Sequence, residues 1–176
     1  MNRKIILFTP LALLIAFALI AVWRLANPPE TAIRSKLEGK AIAEFLLPPA
    51  IAGRGTLSSV NLADGKPKLL NIFASWCLPC IAEAPVLIDL KRRGVTIEAI
   101  AVRDREADVV DFLARNGDPY DRIGSDRDSR VQMALGSSGV PESFVIDGRG
   151  IIRYQHVGAI NPSDVATILA ELEQAR

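Results

Sequence analysis

The sequence has few of the residues from which metal centres and disulfide-rich scaffolds are built. Its 176 residues include two cysteines, Cys77 and Cys80, and one histidine, His156. Two cysteines and one histidine are too few for a Cys₄ or Cys₂His₂ zinc site, and one cysteine pair excludes a scaffold held by several disulfides. Any chemistry of the two thiols is therefore performed by them as a single pair.

An excess of charge of one sign is also absent. Lys and Arg number 21 and Asp and Glu number 20, so the formal net charge is +1. Proteins that bind nucleic acids need a basic surface to neutralise phosphates, so this composition argues against a nucleic-acid partner. Hydrophobic residues make up 49% of the chain, which is enough for a packed core. The length suits one domain of ordinary size.

One long uncharged run lies near the N-terminus. The nineteen residues 5–23 carry no charge, and about 18 apolar residues are enough for a membrane-spanning helix. The alternative is a cleaved signal peptide, whose apolar segment is shorter, about 7–15 residues. The sequence Trp23-Arg24-Leu25 is moreover a poor cleavage site. We predict a membrane anchor over residues 1–25, a linker over 26–39 and a folded domain over 40–176.

The charges that flank this run predict its orientation. Arg3 and Lys4 precede it, and Arg24 follows it. The positive-inside rule favours a cytoplasmic N-terminus. The folded domain is then expected on the outer side of the membrane.

The order of the predicted elements indicates an α/β domain. Strands are predicted at 68–74, 95–102, 143–146 and 151–157, and helices at 81–91, 106–116, 129–135 and 162–174. The first two strands and the helix between them form a βαβ unit, which requires parallel strands. The Asp147-Gly148 turn joins the last two strands as an antiparallel hairpin. The prediction is a mixed central sheet flanked by helices, with Ser129 as the N-cap of the short third helix.

The two cysteines stand at the junction between a predicted strand and a predicted helix. In Trp76-Cys77-Leu78-Pro79-Cys80, Cys77 lies at or just before the first helical turn. Unpaired N–H groups and the helix dipole stabilise a thiolate there. Cys80 returns to the same face three residues later, close enough to form a disulfide. We predict a dithiol/disulfide exchange in which Cys77 forms a mixed disulfide with a partner and Cys80 resolves it.

A structural disulfide and half of a metal site are the two alternatives. A disulfide that closes so short a loop constrains little of the unfolded chain, so it stabilises the fold poorly. Copper bound by both thiols and His156 is disfavoured because the number and the spacing of the ligands are both unsuitable. The position of the pair between strand and helix favours redox chemistry over both.

Two sequence blocks carry a family resemblance. They are N-I-F-A-S-W-C-L-P-C at 71–80, followed by Ala82-Glu83, and G-V-P-E-S-F-V-I-D-G-R-G-I-I-R-Y at 139–154. The first is common to thioredoxin-like proteins, and the second is more specific because a Glu directly after the proline is typical of one family. Over residues 39–173 the chain resembles the thioredoxin superfamily. Within it, the chain resembles the membrane-anchored thiol:disulfide interchange proteins of cytochrome c biogenesis, the CcmG/DsbE family.

This resemblance implies a thioredoxin-like fold and a reductive exchange that needs no bound cofactor. The protein would keep the Cys-x-x-Cys-His thiols of apocytochrome c reduced, or resolve their mixed disulfides, together with haem-ligation components. A membrane electron donor of the DsbD or CcdA type would recharge it. The implied location is the bacterial inner membrane, with the catalytic domain in the periplasm. A general oxidoreductase of the TlpA/ResA kind with other clients and a redox-inert cytochrome-docking module are the alternatives.

The resemblance also implies roles for residues around the thiols. Pro141 would be a cis-proline that faces the cysteines, which would leave the backbone of Val140 free to pair with an extended partner strand. Trp76 is expected to pack beside Cys77 and to contact the partner. The Leu-Pro dipeptide between the cysteines differs from the usual Pro-Thr or Val-Pro of the family and leaves the redox potential open.

Charged residues near the motif have two interpretations. Glu83 lies three residues after Cys80, and Glu142 adjoins Pro141. Each is either a solvated surface carboxylate or a group that opposes thiolate formation and makes the pair more reducing. The segment Arg103-Asp104-Arg105 is expected to be a solvated connection.

Overall fold

A computed structural model describes residues 38–176, together with residues 10, 13–20 and 24. Contacts divide the chain into two units, Met1–Ile33 and Arg34–Arg176. In the first unit the described residues are helical. Of the helices that the described residues form, none combines the length and the apolar character needed to span a membrane. Most of the predicted anchor and linker lies outside the described residues, and both stay predictions.

The second unit contains each strand and helix that the sequence predicts, to within three residues at either end. The strands are β1 (Leu46–Leu47), β2 (Leu57–Ser58), β3 (Lys68–Phe73), β4 (Ile97–Val102), β5 (Ile123–Asp126), β6 (Glu142–Ile146) and β7 (Ile152–Val157). The helices are α1 (Ser59–Leu62), α2 (Leu78–Arg92), α3 (Glu106–Asn116), α4 (Arg130–Ala134) and α5 (Val165–Gln174). A 3₁₀ turn, Pro162–Asp164, leads directly into α5.

The central sheet is mixed, as predicted. Its strand order is β5-β4-β3-β6-β7. Strands β3, β4 and β5 run parallel, whereas β6 pairs antiparallel with both β3 and β7. Parallel neighbours need a crossover connection, which α2 supplies between β3 and β4 and α3 supplies between β4 and β5. The α/β class and the thioredoxin-like arrangement are therefore confirmed.

The two central strands hold the core, and one of them carries a polar residue at its centre. Every residue of β3 and β4 is buried, because strands in the middle of such a sheet are covered on both faces. At the centre of β3, Asn71 is fully buried among apolar residues, whereas the other buried polar residues of the two strands, Lys68 and Glu98, lie near the strand starts. Its register partners are Ala99 on β4 and Ser143 on β6. Directly paired residues share a face of the sheet, so Asn71 and Ser143 project to the same side.

The turn between β6 and β7 contains a close backbone approach. The Gly65 N–H donates to the Gly148 carbonyl at 2.9 Å. A Cβ atom on Gly148 would lie 2.4 Å from the carbonyl carbon of Gly65. Only glycine leaves room for the two backbones to meet there.

The start of α4 differs in one respect from its prediction. Ser129 occupies the N-cap position, but its backbone is left-handed, with φ 56°, and its side chain caps no helix N–H. Its hydroxyl instead accepts from Arg103 Nε at 3.0 Å. The carboxylate of Asp126 caps the helix by accepting from the N–H groups of Arg130 and Gln132 at 3.0 and 2.8 Å. A carboxylate stabilises a helix N-terminus more strongly than a hydroxyl, and Asp126 reaches the helix from the end of β5.

Candidate active site

Cys77 and Cys80 stand where β3 passes into α2. Cys77 is the N-cap residue of α2, and Cys80 lies in its first turn. A disulfide joins them, with Cα atoms 5.3 Å apart. The backbone N–H of Cys80 donates to Cys77 Sγ at 3.2 Å. After reduction, this N–H and the positive end of the helix dipole would stabilise a thiolate at Cys77.

The side chains next to the buried disulfide are exposed and apolar. Trp76 is 60% exposed and Leu78 is 77% exposed, whereas both cysteines are buried. Large apolar side chains that face solvent beside a reactive group are suited to contact with a partner. Most of the indole surface of Trp76 is therefore free for such a contact.

Residues 140–142 lie at the same end of the sheet as the disulfide. The Val140–Pro141 peptide bond is cis. Glu142, the first residue of β6, pairs with Ile72 near the end of β3, and β3 leads directly to the cysteine motif. The antiparallel pairing of β3 and β6 thus brings Val140, Pro141 and Glu142 to the edge from which Cys77 emerges.

Glu83 is buried beneath the disulfide. It lies one helical turn after Cys80 on α2 and is only 1% exposed. Its Oε1 accepts from Asn71 Nδ2 and its Oε2 accepts from the backbone N–H of Ile160, both at 3.0 Å. Burial raises the pKa of Glu83 to about 7, although the two hydrogen bonds oppose this effect. The interpretation of Glu83 as a solvated surface carboxylate is therefore wrong.

Glu142 is equally buried, but on the other face of the sheet. It is 1% exposed. Ser143, the next residue on β6, pairs with Asn71, and neighbouring residues of a strand project to opposite faces. Glu142 therefore projects away from Asn71. Its carboxylate accepts from the N–H of Ser138 at 3.1 and 3.2 Å and from the Ser138 hydroxyl at 2.8 Å. The surface interpretation is wrong for this residue also.

The expectation of a solvated connection at 103–105 is wrong for its central residue. Asp104 is 6% exposed. Its Oδ2 accepts from the backbone N–H of Ser75 at 2.8 Å, and its Oδ1 accepts from the Ser75 hydroxyl at 2.6 Å. Arg103, just before it, has a left-handed backbone with φ 53°, a conformation that is uncommon outside glycine. Asp104 therefore ties the end of β4 to the segment that precedes Cys77.

The contact between Asp104 and Ser75 could have been predicted from the sequence. Ser75 follows β3 by two residues, and Asp104 follows β4 by two residues. Because β3 and β4 are parallel neighbours, residues just beyond their carboxyl ends meet at one edge. A second signal is Asn71, because a lone amide inside an apolar strand needs buried partners.

The fold and the site together define a class of protein. A thioredoxin-like sheet carries a Cys-x-x-Cys disulfide at a helix N-terminus, with a cis-proline at the same edge. A pair of this kind accepts two electrons when the disulfide opens and returns them when it closes. The protein is a thiol:disulfide oxidoreductase.

Comparisons with known proteins give its family. Residues 38–172 match the Redoxin family. The thiol:disulfide interchange protein DsbE of Escherichia coli K12 is 36% identical over 167 residues, which cover 92% of this chain and 89% of that protein. HelX of Rhodobacter capsulatus, also a thiol:disulfide interchange protein, is 35% identical, with coverage of 93% and 92%. The structure of a DsbE-type protein from Chlorobium tepidum matches with a TM-score of 0.66 and 26% identity, covering 78% of this chain and 96% of that one.

The chain belongs to the Redoxin family and, within it, to the thiol:disulfide interchange proteins of the DsbE and HelX type. The resemblance on which the sequence prediction rested is confirmed. The activity as an oxidoreductase, predicted from the position of the cysteine pair, is confirmed as well.

Proposed function

We propose that the protein is a periplasmic, membrane-anchored reductase that delivers electrons to the Cys-x-x-Cys-His disulfides of apocytochrome c before haem attachment. The observation that carries the reductive direction is the burial of two carboxylates, Glu83 one helical turn after Cys80 and Glu142 at the sheet edge from which Cys77 emerges. The similarity to DsbE and HelX proteins supports thiol:disulfide interchange as the reaction.

The reaction transfers two electrons in two steps. In the reduced protein, the Cys77 thiolate attacks one sulfur of the client disulfide, forms a mixed disulfide and releases one client thiolate. The Cys80 thiolate then attacks Cys77 Sγ, forms the Cys77–Cys80 disulfide and releases the second client thiolate. The client gains two electrons and, from the two thiols and solvent, two protons.

The buried carboxylates adjust the reducing strength of the cysteine pair. A negative charge near a thiol disfavours the thiolate, and a less stable reduced pair is a stronger reductant. One pKa unit on a thiol is worth at most about 30 mV for a two-electron couple. Glu83 and Glu142 therefore tune a chemistry that the cysteines themselves perform.

The client is proposed to dock on the exposed face around the disulfide. An extended segment can pair with the backbone of Val140, while apolar side chains of the client contact Trp76 and Leu78. This arrangement would hold a client cysteine in line with Cys77. Haem-ligation components that carry the same client are proposed partners at this face.

The electron supply and the location complete the proposal. A bacterial periplasm is kept oxidising, so a reductant there needs a membrane electron donor, for which the family suggests the DsbD or CcdA type. The uncharged residues 5–23 are proposed as the anchor in the inner membrane. Protease accessibility of the full chain in spheroplasts tests this location, since the folded domain should be digested only after the outer membrane is opened.

A partner trap tests the activity and the client together. In full-length Cys80→Ala, mixed disulfides on Cys77 cannot be resolved and should accumulate in cells. Adducts identified by mass should include apocytochromes, joined through their Cys-x-x-Cys-His thiols. The matched control, Cys77→Ser combined with Cys80→Ala, should capture none of them.

The other outcomes of the trap contradict the proposal in distinct ways. Adducts with a broad set of secreted proteins would indicate a general oxidoreductase of the TlpA/ResA kind. A complete lack of adducts, with cytochrome maturation intact in the Cys77→Ser variant, would indicate a redox-inert docking module.

A further inference from the structure

A chain of buried hydrogen bonds runs from a tyrosine to the carboxylate beneath the disulfide. Tyr120 Oη donates to Asn71 Oδ1 at 2.9 Å. Asn71 Nδ2 donates to Glu83 Oε1 and to Ser143 Oγ, both at 3.0 Å. All four side chains are buried. They come from α2, β3, β6 and the segment before β5, so the chain of hydrogen bonds crosses the core under the active site.

Tyr120 sets the direction of these hydrogen bonds. Burial, and after it the negative charge of Glu83, raises the pKa of Tyr120 well above its usual range, so its O–H keeps its proton and donates. Because the Asn71 oxygen accepts that proton, the Asn71 NH₂ group must face Glu83. The reversed carboxamide would place two oxygens against each other and would leave the buried Tyr120 O–H without its acceptor.

We propose that Tyr120 is a positioning residue for the redox site, whose phenol O–H holds the Asn71 carboxamide in the orientation that donates to the Glu83 carboxylate. A donated hydrogen bond favours the ionised carboxylate. Without the phenol O–H, the carboxamide can turn and accept from a protonated Glu83 instead. Tyr120 thereby controls the charge of Glu83, although it lies far along the chain from the cysteines.

This inference rests on the proposed function, in which Glu83 adjusts the reducing strength of the cysteine pair. It extends that function by naming the residue that determines how readily Glu83 ionises. The effect is expected on the titration of Glu83 first and on thiol exchange only as a consequence.

The packing around Tyr120 makes a clean deletion of its hydroxyl feasible. The ring of Tyr120 stacks on Phe73 with centroids 5.0 Å apart, and Phe73 contacts Phe112 with centroids 5.3 Å apart. In Tyr120→Phe this aromatic cluster is kept and only the O–H is lost. Tyr154, the other tyrosine of the chain, lies half-buried on β7 outside the network. Tyr154→Phe is therefore the matched control.

Other ionisable groups on this side of the sheet must be followed in the same experiment. His156 pairs with Ser143 and Tyr154 pairs with Val145, so both of these β7 residues face the same side. The Nε2 of His156 lies 3.7 Å from a carboxylate oxygen of Asp164. On α2 itself the neighbouring groups are Cys77 and Cys80, which do not titrate while the disulfide is intact. Glu142 projects from the opposite face.

The test is a carboxyl titration of the oxidised full-length protein by NMR. Protein labelled with ¹³C-glutamate is titrated as wild type, Tyr120→Phe and Tyr154→Phe, and Glu83→Gln identifies the Glu83 signal. The Glu83 pKa should rise by about half a unit or more in Tyr120→Phe, because a hydrogen bond to the ionised form is lost. It should stay unchanged in Tyr154→Phe.

A functional readout then shows whether the effect passes through Glu83. The pH dependence of the equilibrium with glutathione should shift to higher pH in Tyr120→Phe by the same amount as the Glu83 pKa. In a Glu83→Gln background, Tyr120→Phe should cause no further shift. A purely structural role of Tyr120 would not depend on Glu83 in this way.

Three results would overturn the inference: an equal Glu83 pKa in wild type and Tyr120→Phe, an equal shift in Tyr154→Phe, or a persistent effect of Tyr120→Phe without Glu83. If Tyr120→Phe does not fold, the wild type still decides. Nuclear Overhauser contacts from the Asn71 NH₂ protons should reach the Ser143 β protons, and contacts to the Tyr120 ring instead would refute the orientation. Failure of wild-type protein to exchange with glutathione would remove the proposed function, while the titration would still decide on Tyr120.

Discussion

Replacement of Glu83 by glutamine should change how stability depends on pH. The pKa of Glu83 is about 7 in the folded protein against 4.5 for a free glutamate, so the folded state binds this proton more tightly than the unfolded chain. A carboxylate with a raised pKa costs stability as the pH rises through the interval between the two values. Wild-type protein should therefore lose stability from about pH 4.5 to about pH 7 on account of this group. Glutamine does not titrate, so Glu83→Gln lacks this loss.

The size of the effect follows from the difference between the two pKa values. The interval from 4.5 to about 7, at about 1.4 kcal/mol per pKa unit, corresponds to about 3 kcal/mol. Glutamine keeps one oxygen acceptor, so either Asn71 or the Ile160 N–H faces its NH₂ group instead. That mismatch costs about 1 kcal/mol at every pH. The pH-dependent part of the difference between the two proteins should thus favour Glu83→Gln by about 3 kcal/mol at high pH relative to low pH.

Urea unfolding of the oxidised proteins, repeated at intervals between pH 4 and pH 8, measures this difference directly. The free energies of unfolding of wild type and Glu83→Gln should diverge with a slope that approaches about 1.4 kcal/mol per pH unit inside the interval. Glu44→Gln, at an exposed position, controls for the substitution itself and should follow the wild type. Parallel curves for wild type and Glu83→Gln would show that burial does not raise the pKa of Glu83 in the folded protein.

The remaining predictions concern single contacts. Glu142→Gln should make the cysteine pair less reducing by at most about 30 mV in a glutathione equilibrium, and an unchanged equilibrium would remove its tuning role. Asp104→Ala leaves the Ser75 N–H and hydroxyl without their acceptor and should lower the unfolding free energy by about 1–3 kcal/mol. Asp104→Asn keeps one acceptor and should lose less stability. Equal losses of stability in the two variants would argue against these hydrogen bonds. Gly148→Ala places a Cβ 2.4 Å from the Gly65 backbone, and because backbone atoms cannot move aside easily, the free energy of unfolding should fall by about 2 kcal/mol or more. Thermal or urea unfolding measures this loss, and a variant as stable as the wild type would refute the close approach.

Much of the fold was predictable because its signals are local. The apolar run of β3, the Cys77 helix start and the Asp147-Gly148 turn each belong to one short segment. The order of strands and helices then left few arrangements, because crossovers between parallel strands are right-handed. The chemistry of the cysteine pair followed from the same local pattern.

The environment of the pair was harder to predict because it depends on distant segments. Glu83 becomes buried through Asn71 on β3 and the Ile160 N–H, which lies 77 residues further along the chain. Asp104 reaches Ser75 only because two parallel strands end at one edge. The sequence alone does not indicate whether a glutamate or aspartate faces water or the core. Its burial depends on hydrogen-bond partners from segments that are distant in the sequence.

The placement of the two glutamates on opposite faces of the sheet has a consequence for the bound state. Glu83 is held by groups of the core, and Glu142 is held by Ser138, two residues before Val140. If a client strand pairs with Val140 as proposed, it lies two residues from Ser138, the residue that holds Glu142, whereas the hydrogen-bond partners of Glu83 lie in the core. The thiols would then have one electrostatic neighbour that is constant through the catalytic cycle and another that responds to occupancy, so that the reducing strength of the pair could differ between the free protein and its complex.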